Sequence, residues 1–432
     1  QRLEASNSNV GDHFGRALTF TGEHLLIGAT TLETIYIFAK NEDGLWSERQ
    51  TLQVSDSREG DFVGRVSASD PNHVLMSSLA NSEARGAVYV FERDENTDLW
   101  RESAKLMGSD TEPDDLFGMS LAIDDGVALI GAPRQNNITG SVYTFTLDRT
   151  TGDWIETNKL TGEGTAPNSG FGVAVALDGR KAIVGAATHD QGMGIAYTFD
   201  YDEESGGWNP ASTLKAFDEG NPGTQFGTTI QINEGQVWLS APGASEFQGR
   251  VYSLSQDQSS GDWIEARKLI SQKLVSGDQF GTALAVKGNL GVVGIGGADY
   301  GLGTVAIYER MGREWTEVTR VFNNSDALSS ITGEEVSCEE GTASEYTCNE
   351  VDMLSFLSVE DVGGARGVQL NDVWGWTDPS SNREYALVGR YDGTSFVDVT
   401  EASNPRYLGN LPMTDGARGN VWRDIKVYRD HA

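Results

Sequence analysis

The chain has 432 residues, 64 of them acidic and 32 basic, giving a formal charge of −32. Its length allows two or more domains and a large buried core, and its charge argues against nucleic acid or an anionic membrane as partner. Glycine and aromatics are plentiful, so the acidity is not a signature of disorder, and no run of 18 apolar residues is available to span a bilayer.

The chain opens with "QRLEASNSNVGDHFG", which parallels "RKLISQKLVSGDQFG" at 267–281. Residues 1–3 therefore read as a fourth strand lacking its first three. Six repeats follow. The glycines after Phe or Val fall at Gly15, Gly64, Gly118, Gly172, Gly227 and Gly281, at intervals of 49, 54, 54, 55 and 54. The tryptophans Trp46, Trp100, Trp154, Trp208, Trp263 and Trp315 recur at 54, 54, 54, 55 and 52. Two independent registers agree, and such a period decides the fold.

Each repeat reads as four strands. In the third repeat these are "MSLAID", "VALIGAP", "GSVYTF" and "WIETNKL", separated by a tight "DDG" turn and a polar "DRTTGD" hairpin. Period-2 alternation, β-branched residues and Gly/Asp turns are strand and hairpin signals. Four short antiparallel strands repeated six times predict an all-β fold, a β-propeller. Six complete blades plus one orphan strand predict seven blades, the last supplied by upstream sequence or by a divergent closing segment. The repeated Phe, Gly, Trp and Tyr residues are expected to build blades.

The pattern "FG…IGAP…GSVYTF" resembles the FG-GAP repeat of integrin α-chain propellers and bacterial surface proteins, over about residues 1–322. Blade two departs from it with "FVG" and "MSSLA", and blade six with "GIGGA". The family often carries a D-x-D-x-D-G calcium loop between the first two strands. Here those turns are "TGEH", "DPNH", "DDG", "DGRK", "NEG" and "KGN", which lack three alternating carboxylates. No metal site or cofactor is therefore expected. The acidic hairpins joining strands three and four hold calcium loosely at most, and a solvated turn is their expected role.

Residues 323–370 read as a linker containing "SCEEGTASEYTC", with a short helix expected at "VDMLSFLSVEDV". Cys338 and Cys348 have no nearby histidines, so a local disulfide and an oxidising compartment are expected. At 371–432 a second pattern begins, "NDVWGW" being echoed by "RDIKVY" at 423–428. With the cysteine loop ahead of it, this stretch resembles the LVIVD repeats of choice-of-anchor B surface proteins. The resemblance implies the start of a further propeller and a chain that is a fragment of a longer protein.

The five histidines are scattered, and no zinc, nucleophile-elbow or P-loop motif is present. Propeller function generally lies on a loop face. The loops joining strands two and three vary most ("PRQNNIT", "THDQGM", "GASEFQ", "GADYGL"). Arg134, Asn136, His189, Phe247 and Tyr300 on them are the candidate ligand contacts. Sequons place candidate glycosylation at Asn137 and Asn323. The reading is a non-enzymatic bacterial protein, secreted or at the cell surface, that binds an extracellular protein or glycan. The rival readings are a structural subunit of an extracellular assembly, joined to copies of itself or to other subunits, and a polysaccharide hydrolase or lyase with loop-borne carboxylates.

Overall fold

The computed structural model describes residues 3–427 apart from 8–10, 95, 218–220, 258, 260, 262, 270, 272–273, 313, 323–328, 345, 366 and 415–424, and excepting the side chains of 265 and 266. The sequon at Asn323 lies outside the described residues, as does half of the "RDIKVY" echo. The described chain is all-β and falls into two compact units: Gln1–Ile295 with Val305–Arg320, and Gly296–Thr304 with Val321–Ala432.

The first unit is built of six four-stranded antiparallel sheets, each in simple meander order, apart from Thr304, Val321 and Phe322 of the sixth, which fall in the second unit. They span 14–53, 63–106, 120–160, 171–214, 230–269 and 280–322. In the third, the strands are Ser120–Asp124, Val127–Ala132, Ser141–Leu147 and Trp154–Leu160. The first strands of consecutive sheets pack side by side, which makes each sheet a propeller blade. The second strands are the most buried. In blade one all six residues from His24 to Ala29 are inaccessible, as in blade two from His73 to Ser78.

The repeated residues make the contacts between blades. Gly131 of the Gly-Ala-Pro run lies against Gly172 of the next Phe-Gly pair; a Cβ on Gly131 would meet the Gly172 carbonyl oxygen at 2.1 Å. Gly28 meets Gly64, and Gly185 meets Gly227, in the same way. The Phe-Gly glycines also need a positive φ, +91° at Gly172, which only glycine adopts without strain. The Phe of each pair packs edge-to-face on the Tyr of its own third strand. Phe117–Tyr143, Phe171–Tyr197 and Phe226–Tyr252 each have 5.4 Å between ring centroids. Each such pair contributes roughly 0.5–1.5 kcal/mol beyond its burial.

A second latch joins consecutive fourth strands. The Ser6 amide and hydroxyl both donate to Glu48, those of Ser55 to Glu102, and those of Ser109 to Glu156. Those glutamates stand two residues after the repeated Trp. Ser6 closes a segment in which Leu3 and Ala5 pack on Leu25, Ile27 and Tyr36 of blade one. Leu3 and Ala5 are thus docked on blade one; the orphan strand expected at residues 1–3 lies largely outside the described residues.

Six blades do not close the circuit. The first strands of blades six and one lack the packing that links every other consecutive pair. Leu18 and Phe20 of blade one are accordingly about 60% exposed (60% and 62%), whereas Leu121 and Ile123, at the same register of blade three, are 9% and 8%.

The second unit holds one four-stranded antiparallel sheet: Leu370–Thr377, Glu384–Arg390, Gly393–Asp398 and Arg406–Pro412. Ahead of it Cys338 and Cys348 form a disulfide, with Cα atoms 5.9 Å apart, around a two-stranded hairpin of Thr342–Ala343 and Tyr346–Thr347. The helix expected at "VDMLSFLSVEDV" does not form. Met353 bridges Val336 and Phe356 bridges Ile331 in extended backbone, and residues 359–363 are a turn. A segment with so few flanking helical residues finds better hydrogen-bond partners across the chain than along it.

Candidate recognition rim

In blades two to six, eight residues join the second strand to the third, and all five loops share one conformation. It is a single left-handed helical turn. Its three residues have φ values of 53°, 62° and 59° at Ser82, Glu83 and Ala84, and of 51°, 59° and 64° at Asn136, Asn137 and Ile138. Asp190, Gln191 and Gly192 repeat it, as do Ser245, Glu246 and Phe247, and Asp299, Tyr300 and Gly301. The last belongs to the second unit. Left-handed backbone costs an L-residue roughly 1–2 kcal/mol, and the β-branched Ile138 adopts it least readily.

Main-chain hydrogen bonds offset the strain. Within each turn an i→i−4 bond closes the coil, as from the Ile138 amide to the Arg134 carbonyl at 3.0 Å. The carbonyls after the apex then accept from the loop entering the next blade. Amides of Asn168, Gly170 and Phe171 donate to Asn137, Ile138 and Thr139 at 3.1, 2.7 and 3.0 Å. Those of Asp114, Leu116 and Phe117 donate likewise to Glu83, Ala84 and Arg85. The glycine closing each turn is required by this approach. A Cβ on Gly140 would meet the Phe171 carbonyl oxygen at 2.0 Å.

Blade one solves the same problem with a side chain. Its loop has four residues instead of eight. The Glu33 carboxylate accepts from the amides of Gly60, Phe62 and Val63 at 3.2, 3.0 and 2.7 Å. Burial pushes the Glu33 carboxyl above its usual range, against the three amide hydrogen bonds that favour its charged form.

The backbone of each turn is thus spent on the seam, while the apical side chains face solvent. Ser82, Glu83, Asn136, Asn137, Asp190, Gln191 and Glu246 are all exposed. The first residue of the turn points the other way. Gln135 is 4% exposed, with its amide nitrogen 2.6 Å from the Tyr143 hydroxyl. His189 holds that same inward position. It is half-buried, and its Nδ1 lies 3.2 Å from the Ser169 hydroxyl.

Of the five residues singled out from the sequence, Arg134, Asn136 and Phe247 are exposed on this rim, whereas His189 faces the seam. Tyr300 is 48% exposed, and its ring packs edge-on against Tyr391 within the second unit, centroids 5.3 Å apart. Asn137, the candidate glycosylation site, stands exposed at the apex of its turn. The apical residues Ser82, Glu83, Asp190, Gln191 and Glu246 were not singled out. The signal for them is positional: four or five residues after the small-residue end of the second strand.

Below the rim, two further groups tie the loops to the third and fourth strands. Tyr89 donates to Asp56 and Tyr143 to Asp110, each at 2.5 Å, and Lys105 and Lys159 pair with the same carboxylates at 2.7 and 2.6 Å. The lysine and tyrosine hydrogen bonds hold Asp56 and Asp110 below the usual carboxylate range; burial and those carboxylates push both tyrosines far up. The acidic hairpins on the opposite rim use their first Asp internally. Asp94 accepts from Asn96 and Thr97, and Asp148 from Thr150 and Thr151, as turn caps. Among the described residues, no three His, Cys, Asp or Glu side chains gather in a way that could hold a metal ion. Nor, among them, is any helix long and apolar enough to cross a membrane.

Residues 100–145 and 154–199 match the family model described as FG-GAP repeat. No curated protein matches the chain. Among solved structures, the fold is similar to a "putative 6-phosphogluconolactonase" from Bacteroides uniformis. That match has 11% identity and a TM-score of 0.52, over 71% of this chain and 85% of that one. A protein of the same description from Bacteroides fragilis matches at 13% identity and a TM-score of 0.50, over 71% and 84%. At such identities the likeness is one of fold.

Proposed function

We propose that the protein is a non-enzymatic binding protein of the cell surface or extracellular space, and that the rim of left-handed turns is its recognition surface. One observation carries the reading. A single strained backbone is repeated from blade to blade with its main chain committed inward, while its outward side chains vary: Ser-Glu in blades two and five, Asn-Asn in three, Asp-Gln in four and Asp-Tyr in six. Strain held in place by the surrounding structure is a pointer to function, and varied side chains on a fixed scaffold are how loops acquire specificity. The exposed set is polar and acidic, so it suits a ligand rich in hydroxyl, amide or cationic groups: a glycan or the surface of an extracellular protein. The FG-GAP match and the disulfide support an extracytoplasmic location. The stretch at 371–432 is read as an LVIVD-like surface-protein repeat.

The test is binding of the full chain to glycan and extracellular-protein arrays, with the bound ligand recovered and analysed. Recovery of an unaltered ligand is the expected result. Cleavage or elimination in the recovered ligand would replace this reading with that of a polysaccharide-acting enzyme.

A further inference from the structure

On the opposite rim, where the hairpins lie, the seams between blades differ in the residue four positions after each repeated Trp. In the first seam this is Gln50. Its amide nitrogen donates to the Trp100 carbonyl at 2.7 Å, and its oxygen accepts from the Trp100 amide at 2.9 Å. Trp100 is left 2% exposed. In the third seam it is Asn158, which approaches Gly207, and Trp208 is 8% exposed. In the second seam the residue at that register is Ala104: it pairs with Val90 as Gln50 pairs with Ile37. Trp154 is only half-buried, and a cleft of about 390 Å³ opens between blades two and three.

The walls of that cleft are polar and fixed. Asp70 and His73 line it, with side chains 4% and 11% exposed and His73 Nδ1 3.1 Å from the Asp70 carboxylate. The carboxylate is an acceptor, so Nδ1 is the protonated nitrogen, and Nε2 is the one left for a ligand. The His73 ring stands edge-on to Trp154 at 5.5 Å. Arg93 and Arg149 line the cleft too, paired with Asp98 and Asp125 respectively. Asp70, Asp125 and Glu92 against Arg93 and Arg149 leave no positive excess to attract an anion. What remains is an aromatic ring flanked by alternating hydrogen-bond donors and acceptors.

We propose that this cleft binds a neutral saccharide unit, through Trp154, His73, Arg149 and Asp125. A sugar ring offers C–H groups to an indole and hydroxyls that both donate and accept, which this mixed lining can satisfy. The volume lies within the range of ordinary small-molecule sites. The wider groove in the seam between blades four and five, about 570 Å³, has a small residue, Ser212, at the corresponding register but is lined by Ala211, Thr213, Lys215 and Phe217 without a comparable polar set. This site is separate from the turn rim, and neither depends on the other.

The test titrates cellobiose, lactose and N,N′-diacetylchitobiose into the full chain at millimolar concentration, read by saturation-transfer NMR. At least one is expected to bind. Asp125→Asn, at an exposed position of the cleft wall, should weaken binding without lowering Tm. Arg149→Ala, at an exposed position, should weaken it at least tenfold. The proposal is overturned if none of the three sugars receives transfer, if binding survives Arg149→Ala undiminished, or if galacturonate or inorganic phosphate binds in their place.

Discussion

The seam between blades one and two and the seam between blades two and three join the same strands in the same register, yet they close by different means. In the first, side chains do the work: Glu33 caps three amides at one rim, and Gln50 grips the Trp100 backbone at the other. In the second, the main chain of a left-handed turn supplies the acceptors, and a cleft lies open at the far rim beside Trp154. What a seam requires is that the amides entering the next blade find acceptors, since a buried unpaired N–H is costly. A main-chain solution leaves the side chains of the turn free to vary. A side-chain solution uses them up.

The largest expected effect tests what both seams share. Gly131→Val would push a side chain into the Gly172 carbonyl and force blades three and four apart. It should cost about 4 kcal/mol, among the larger single-residue effects, read as a fall in the thermal midpoint by circular dichroism. A midpoint unchanged within error would show that the glycine contact is not structural.

Glu33→Ala comes next. It strands three amides at once and should cost about 3 kcal/mol, as several lost charge-assisted hydrogen bonds would. Its pH dependence has a definite sign. Burial raises the Glu33 pKa, so the folded state holds that proton more tightly than the unfolded chain. Stability relative to Glu33→Gln should therefore fall as pH rises above the ordinary carboxylate value. The same comparison by urea titration at pH 4 and pH 7 would contradict the assignment if the difference were flat or reversed. Asp110 should behave in the opposite sense, because lysine and tyrosine hydrogen bonds lower its pKa. Its contribution is present above the unfolded value and is lost as pH falls through the lowered one. The group is largely exposed, so removal of its partner in Tyr143→Phe should cost about 1 kcal/mol.

The blade pattern was legible because it rests on residues with few substitutes. Gly172 must have a positive φ and touch another backbone, and Phe171 must meet Tyr197, so both recur at fixed spacing. The left-handed turns were not legible. Their geometry is held by main-chain hydrogen bonds that any residue can make, and Ser82, Asn136, Asp190 and Ser245 share no side chain that marks the conformation. Variation among these loops was visible, but the split between outward Asn136 and inward His189 was not, since it depends on position within a turn that sequence alone does not reveal. Glu33 escaped notice because it replaces a backbone with a carboxylate in the one complete blade whose loop is short. The helix expected at "VDMLSFLSVEDV" failed for a related reason: Val336 and Ile331 offer its residues bridge partners that the segment itself does not reveal.

The smallest effect on stability should come from the apical positions, where Asn136→Ala is expected to cost about 0.5–1 kcal/mol for the left-handed conformation alone. That contrast makes the central claim testable. A chain carrying Glu83→Ala, Asn136→Ala, Asp190→Ala and Glu246→Ala together should be assayed on the same arrays as the unaltered protein, with Tm measured on the same samples. The account predicts that binding is lost while the cooperative unfolding of the blades is retained. Undiminished binding by this fully folded variant would contradict it and move recognition off the turn rim.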